Sequence, residues 1–128
     1  MDIKRATKEA LLERAAKRDA AKAKYRDFYC KALGETLIIK KIGVDRICDI
    51  LDMADGDTMR ANMEVNKQLV YESVPLFQDK EIQEAYGCIE PYDIVLAVLD
   101  DDMNELQHLC SFILNMYGLG TLDDDIKN

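Results

Sequence analysis

Between Asp79 and Leu99 the chain closes one helix and opens another within a few residues. Asp79 is placed to cap a short helix, Glu81 suits the positive end of that helix, and Gly87 suits a left-handed residue just past its end. Pro91 then fits the first position of the next helix, with Asp93 in its first turn. In that helix Ile94, Val95 and Val98 face one way and Leu96 and Leu99 another, so burial nearly all round is expected. A helix with no polar face has to be wrapped by other elements, which points to a small, mostly helical domain.

The flanking sequence supplies those elements. DFYCKALGETLIIKKIG reads as two short strands around a turn at Gly34-Glu35, because a glycine separates two runs and Thr36-Leu37-Ile38-Ile39 is rich in β-branched residues. An isolated hairpin is marginal in water, so it must pack on helices. From Gly43 the period changes: Val44, Ile47, Ile50, Leu51 and Ala54 mark one helical face, ended by Asp55-Gly56-Asp57. A second helix runs from Thr58, with Met59, Met63, Asn66 and Val70 on one side, and stops before Pro75. After Asp100-Asp101-Asp102 a last helix carries Met103, Leu106, Cys110, Ile113 and Tyr117, widened by Leu109, Phe112 and Met116 and ended by Gly118. The expected fold class is α+β, mostly α, with one β-hairpin and an N-terminal basic helical extension.

Charge divides the chain more sharply than composition does. Residues 1–26 hold nine Lys/Arg and four Asp/Glu, a net of +5, whereas residues 27–128 hold eight and twenty-one, a net of −13. The expected organisation is therefore a basic helical arm over 1–26, a hairpin-plus-helices domain over 27–120 and an acidic tail over 121–128. The arm is rich in Ala, Lys, Arg and Glu, and its Glu13–Lys17 spacing favours a helix. It has little to bury, since Leu11 and Leu12 are its large apolar side chains after Ile3. It reads as a solvated extension, as a helix that docks on a partner, or as a nucleic-acid contact. The candidate contact residues are Leu11, Leu12, Arg14, Lys17 and Arg18. The longest apolar run, Ile94 to Leu99, is far too short for a membrane span, and the start of the chain does not resemble a secretory segment. No membrane partner and a cytoplasmic location are expected.

Candidate chemistry is sparse. Cys30, Cys48, Cys88 and Cys110 include no close pair, and His108 is the single histidine, so buried reduced thiols are expected rather than a metal site. Asp55-Gly56-Asp57-Thr58 has the letters of a phosphatase loop in the wrong order. Read as a calcium loop it would put Leu51 and Asn62 at positions that require a carboxylate. Gly118-Leu119-Gly120 precedes an acidic stretch rather than a helix, so it is no phosphate cradle. No catalytic residue, metal ligand or cofactor site is assigned, and the chain is not expected to be an enzyme. Residues 44–70 also have the layout of a helix-turn-helix in which Arg60, Asn62 and Lys67 could reach base edges. Glu64 and the acidic body oppose that reading, so nucleic acid is an unlikely partner.

Taken whole, VYESVPLFQDKEIQEAYGCIEPYDIVLAVL resembles the XkdN-like tail assembly chaperones of contractile-tailed phages and prophages, in which a segment like L-x-D-x-E-L-Q-x-x-Y-G precedes a helix ending in leucines. The matching positions are Phe77, Asp79, Glu81, Ile82, Gln83, Tyr86 and Gly87, then Ile94, Leu96 and Leu99. The resemblance is good over 69–117, looser over 27–68 and absent for the arm. It departs where the family often has a Pro-Gly-Glu turn: here stand Asp100 to Glu105, only Glu105 corresponds, and a bent or continuous helix is expected. The resemblance implies a non-enzymatic protein of the host bacterial cytoplasm, absent from the mature virion. It would bind the tape-measure protein, keep it soluble and help tail-tube protein gather on it, with homo-oligomers possible. It implies structural roles for the matched residues. A small DNA-binding regulator and a structural tail component are the alternatives.

Overall fold

The structure is a computed structural model that describes residues 4–18 and 24–119. Residues 19–23, the acidic tail at 121–128 and the side chain of Arg18 lie outside it. Helix α1 (Lys8–Arg18) is followed by strands β1 (Tyr25–Cys30) and β2 (Glu35–Lys40). Helices α2 (Val44–Asp52), α3 (Met59–Ser73), α4 (Lys80–Ala85), α5 (Ile94–Val98) and α6 (Met103–Asn115) complete the chain. Single 3-10 turns at Pro75–Gln78 and Pro91–Asp93 bracket α4. The protein is thus mostly α, with one antiparallel hairpin.

The hairpin pairs Tyr25 with Lys40 at its open end and Cys30 with Glu35 beside the loop. The strand therefore starts at Tyr25, inside the stretch assigned from sequence to the arm. The reversal occupies Lys31 to Gly34 rather than Gly34-Glu35. Gly34 takes its last position in the left-handed region, at φ 71°, and donates its N–H to the Cys30 carbonyl at 2.8 Å. Phe28, Cys30, Leu37 and Ile39 point inward, with the Phe28 ring 5.1 Å from that of Phe112 on α6. Tyr25, Tyr29 and Ile38 face out and are exposed.

α3 and α6 form the central helix pair; α2 and α5 pack against α3, and the hairpin lies against α6 and the Pro75–Gln78 turn. Their shared core contains Ile47, Ile50, Leu69, Val70, Val74, Phe77, Ile94, Leu99, Leu106, Leu109 and Ile113. Each such side chain, fully buried, stabilises the fold by about 1.5–3 kcal/mol. Three local facts depart from the periodicity. On α2 only Ile47 and Ile50 are buried; Val44 and Leu51 remain 56% and 40% exposed, because α2 rests on α3 along one narrow edge. On α3 the buried positions are Val65, Lys67, Leu69, Val70 and Ser73, while Met59 is 84% exposed. α3 is gripped by α6 and α5 over its later turns, so the buried stripe is rotated away from Met59. Cys48, on the outer side of α2, is exposed rather than buried; Cys30 and Cys110 are buried, and all four thiols are free.

The punctuation expected between 79 and 99 is present. The Asp79 carboxylate accepts the N–H of Ile82 at 3.1 Å. Gly87 sits at φ 69°, and the Cys88 N–H reaches back to the Gln83 carbonyl at 3.0 Å, closing α4. Pro91 opens the next turn, inside a capping box formed by Glu90 and Asp93. Between α5 and α6, however, the helix is neither bent nor continuous. Asp100 and Asp101 both take left-handed backbone, at φ 59° and 60°, and Asp101 donates to the Leu96 carbonyl at 2.9 Å. Asp102 then caps α6 by accepting the Glu105 N–H at 3.2 Å. Aspartate tolerates this conformation better than most side chains because it is short and can bond locally.

Candidate partner-binding surfaces

Most of the residues that carry the resemblance are occupied with the fold. Phe77, Ile94 and Leu99 are buried; Ile82 and Leu96 are half-buried against the core; Asp79 caps α4 and Gly87 ends it. Gln83 donates to the Phe77 carbonyl at 2.8 Å, tying α4 to the turn before it. Glu81 stands exposed in the first turn of α4, and Tyr86 is exposed at its end. Glu105, the one residue matching the family's missing turn, is buried, and its carboxylate accepts the N–H of Ala32 at 3.2 Å. It therefore fixes the hairpin loop to α6, a link across 73 positions that no local pattern signals.

The arm residues are placed differently. Thr7 caps α1 by accepting the Ala10 N–H at 3.1 Å, and every described side chain from Lys4 to Lys17 is exposed. Leu11 and Leu12 are 58% and 59% exposed, Arg14 is exposed, and Lys17 is paired with Glu13 at 3.1 Å. Contact by Arg18 falls outside the described side chains.

Two open grooves cross the body. One, of about 380 Å³, runs between the α2–α3 connection and Tyr92 and is lined by polar groups such as Asp55, Arg60 and Glu64. The other, of about 510 Å³, is mostly apolar, lined by Tyr25, Thr36, Leu37, Ile38, Pro75, Leu76 and Asp79. It is continuous with the outward face of the hairpin. Sequence reasoning missed it, since strand alternation shows which side chains face out but not that Pro75-Leu76 lie beside them.

The ionisable groups are used structurally. Arg46 of α2 grips Glu72 of α3 through two hydrogen bonds, Nε to Oε1 at 2.6 Å and Nη2 to Oε2 at 2.5 Å, while Gln68 donates to the same carboxylate. The guanidinium hydrogen bond holds the Glu72 carboxyl below its ordinary range. Lys67 is buried along α3, with its ammonium 3.2 Å from Glu64 and 4.0 Å from Asp93. It is therefore not available to reach a base edge, which removes one of three side chains from the helix-turn-helix reading. His108 is exposed, with Nδ1 3.7 Å from Glu105. Burial pushes the Cys110 thiol up to about 12 and raises that of Cys30, so both stay protonated as core groups. Among the described residues no three His, Cys, Asp or Glu side chains converge, and no helix is long and apolar enough to cross a membrane.

A crystal structure of the protein YqbN, a structural genomics target, matches this architecture with a TM-score of 0.56 at 19% identity. The match covers 73% of this chain and 84% of that one. At this identity it speaks for a shared fold and nothing further. Comparisons with protein-family models and with curated proteins find no match.

Proposed function

We propose that the chain is a tail assembly chaperone of a contractile-tailed phage or prophage, a non-enzymatic protein that binds the tape-measure protein in the host bacterial cytoplasm. It keeps that long helical partner soluble while tail-tube protein gathers on it, and it is absent from the mature virion. The observation that carries this reading is the apolar groove beside the hairpin, open on a chain of net charge −8. A highly charged body that leaves Tyr25, Ile38 and Leu76 uncovered in one place is suited to receive the apolar stripe of a partner helix while the complex stays soluble. The resemblance over 69–117 also supports it; among its matched residues Asp79 caps a helix, Gly87 ends one, and Phe77, Ile94 and Leu99 lie in the core.

Co-expression with the tape-measure protein of the same phage or prophage tests this. The complex is expected to co-purify, and the Ile38→Asp/Leu76→Asp double variant, altered at two exposed positions, is expected to lose it while staying folded by circular dichroism. Insolubility of the tape measure despite a folded, soluble chain would sink the reading. Recovery of the chain in purified particles would instead favour a structural tail component. The DNA-binding alternative keeps the exposed Arg60 and Asn62 together with the exposed cations Lys4, Arg5, Lys8 and Arg14 of the arm, and would show as duplex binding with steep salt dependence.

A further inference from the structure

Two helix faces are left uncovered in the described chain, and they complement each other. On α2, Val44, Cys48 and Leu51 recur at helical spacing along one side, and all three are exposed. Asp45, Asp49 and Asp52 repeat that spacing one position later, making an acidic flank beside the apolar stripe. Arg46, the cation of α2, is engaged by Glu72 and also lies in the field of Asp49. On α1, Leu11, Leu12, Ala15 and Ala16 share one side with Lys8 and are exposed. Arg14 lies on one flank of that side, Glu9 and Glu13 on the other.

We propose that α1 of one copy docks on α2 of a second copy, and reciprocally, so that two identical α1–α2 contacts hold a dimer. Each copy carries both halves, an arm of net +5 and a remainder of net −13, so the pairing is self-complementary and closes with two-fold symmetry. Within one chain the halves do not meet: Leu11 and Leu12 stay uncovered, as do Val44, Cys48 and Leu51. The small residues Ala15, Ala16 and Cys48 let the two axes approach closely.

The charge pattern also sets the direction. At about 100° per residue, the aspartates of α2 lie roughly a quarter-turn to one side of its stripe, and Arg14 lies on the opposite side of the stripe on α1, a little over a third of a turn from its centre. Facing helices bring flanks of opposite hand together when they run parallel. The parallel arrangement therefore sets Arg14 against the Asp45/Asp49/Asp52 flank, whereas the antiparallel one would set Glu9 and Glu13 against it.

Light scattering of the full-length chain alone tests the proposal. The expected mass is twice 14.6 kDa, with the dissociation constant rising about tenfold or more between low salt and 1 M salt as the charges are screened. Leu11→Ala/Leu12→Ala and, separately, Asp45→Lys/Asp49→Lys/Asp52→Lys should each give monomers with an unchanged circular dichroism spectrum. Oxidation of Ala15→Cys should trap a covalent dimer through the native Cys48, and adding Cys48→Ser should abolish it. A monomeric wild-type chain, a dimer indifferent to both sets of substitutions, or a cross-link formed within one chain each overturns the proposal. So does a monomer whose aspartate reversal blocks only tape-measure capture, which would give the α2 face to that partner. No tape-measure protein enters the measurement of mass, so failure here leaves the co-expression result standing, and the reverse also holds.

Discussion

Replacing Glu105 by alanine should cost this small domain a large part of its stability, although the residue is a charged one. Its carboxylate is buried and accepts the Ala32 N–H at 3.2 Å, while its position in the first turn of α6 favours the helix dipole. Losing a hydrogen bond to a charged acceptor costs about 1.5–3 kcal/mol, and losing the first-turn charge costs about 0.3–1 kcal/mol. Removing a carboxylate that is expensive to bury returns part of this, which leaves about 2 kcal/mol. For a domain of this size that corresponds to a fall in Tm of about 8–16 °C. Thermal and urea unfolding followed by circular dichroism measure it, and amide exchange at Ala32 reports the bond itself. Glu105→Gln keeps an acceptor oxygen and should recover about half the loss, with Ala32 again protected. A Glu105→Ala variant within 0.5 kcal/mol of wild type, or one whose Ala32 amide stays protected, would refute the reasoning.

Other expectations follow from single features. Asp100→Gly should raise stability by about 0.5 kcal/mol, because glycine adopts the left-handed backbone without strain, whereas Asp100→Val should lower it by about 1–2 kcal/mol; equal unfolding midpoints for the two variants would contradict the φ of 59°. At concentrations where the chain is monomeric, deleting residues 1–18 should leave the urea midpoint of the body unchanged, but extending the deletion through Arg26 should lower it, since Tyr25 and Arg26 pair with Lys40 and Ile39. Glu72 has a lowered folded-state value, so its contribution is present above its ordinary value near 4.5 and is lost as pH falls through the folded value. Urea midpoints measured from pH 7 to 3 should show this loss, and Arg46→Met should remove that component of the slope.

What could be read from the sequence was what neighbours in the chain decide. Asp79 and Gly87 mark helix ends through bonds spanning three to five residues, and Pro91 through its fixed ring, so their roles followed from residue type and spacing. Helical periodicity grouped Val44, Ile47, Ile50 and Leu51 on one face of α2 and could not say which of them α3 would cover. Ile47 and Ile50 are buried, while Val44, Cys48 and Leu51 are left outside. The Asp100–Asp101 reversal was hidden because glycine is the usual mark of left-handed backbone, and here two aspartates adopt it. Glu105, Lys67 and the apolar groove depend on elements brought together only by folding, and no window of sequence contains both partners.

The hairpin also fixes how a pull on the arm would be resisted. The arm enters the body at Tyr25, and the pairing partner of Tyr25 is Lys40, where the chain leaves the hairpin toward α2. Load applied between arm and helices thus acts at one end of the ladder, as when tape is peeled, and the rungs oppose it singly instead of in parallel. Peeling would proceed from Tyr25–Lys40 toward Cys30–Glu35, lifting Phe28 from Phe112 on the way, until it met the loop that Glu105 clasps at Ala32. The arm is therefore tethered through a mechanically soft seam with a firm stop at its far end.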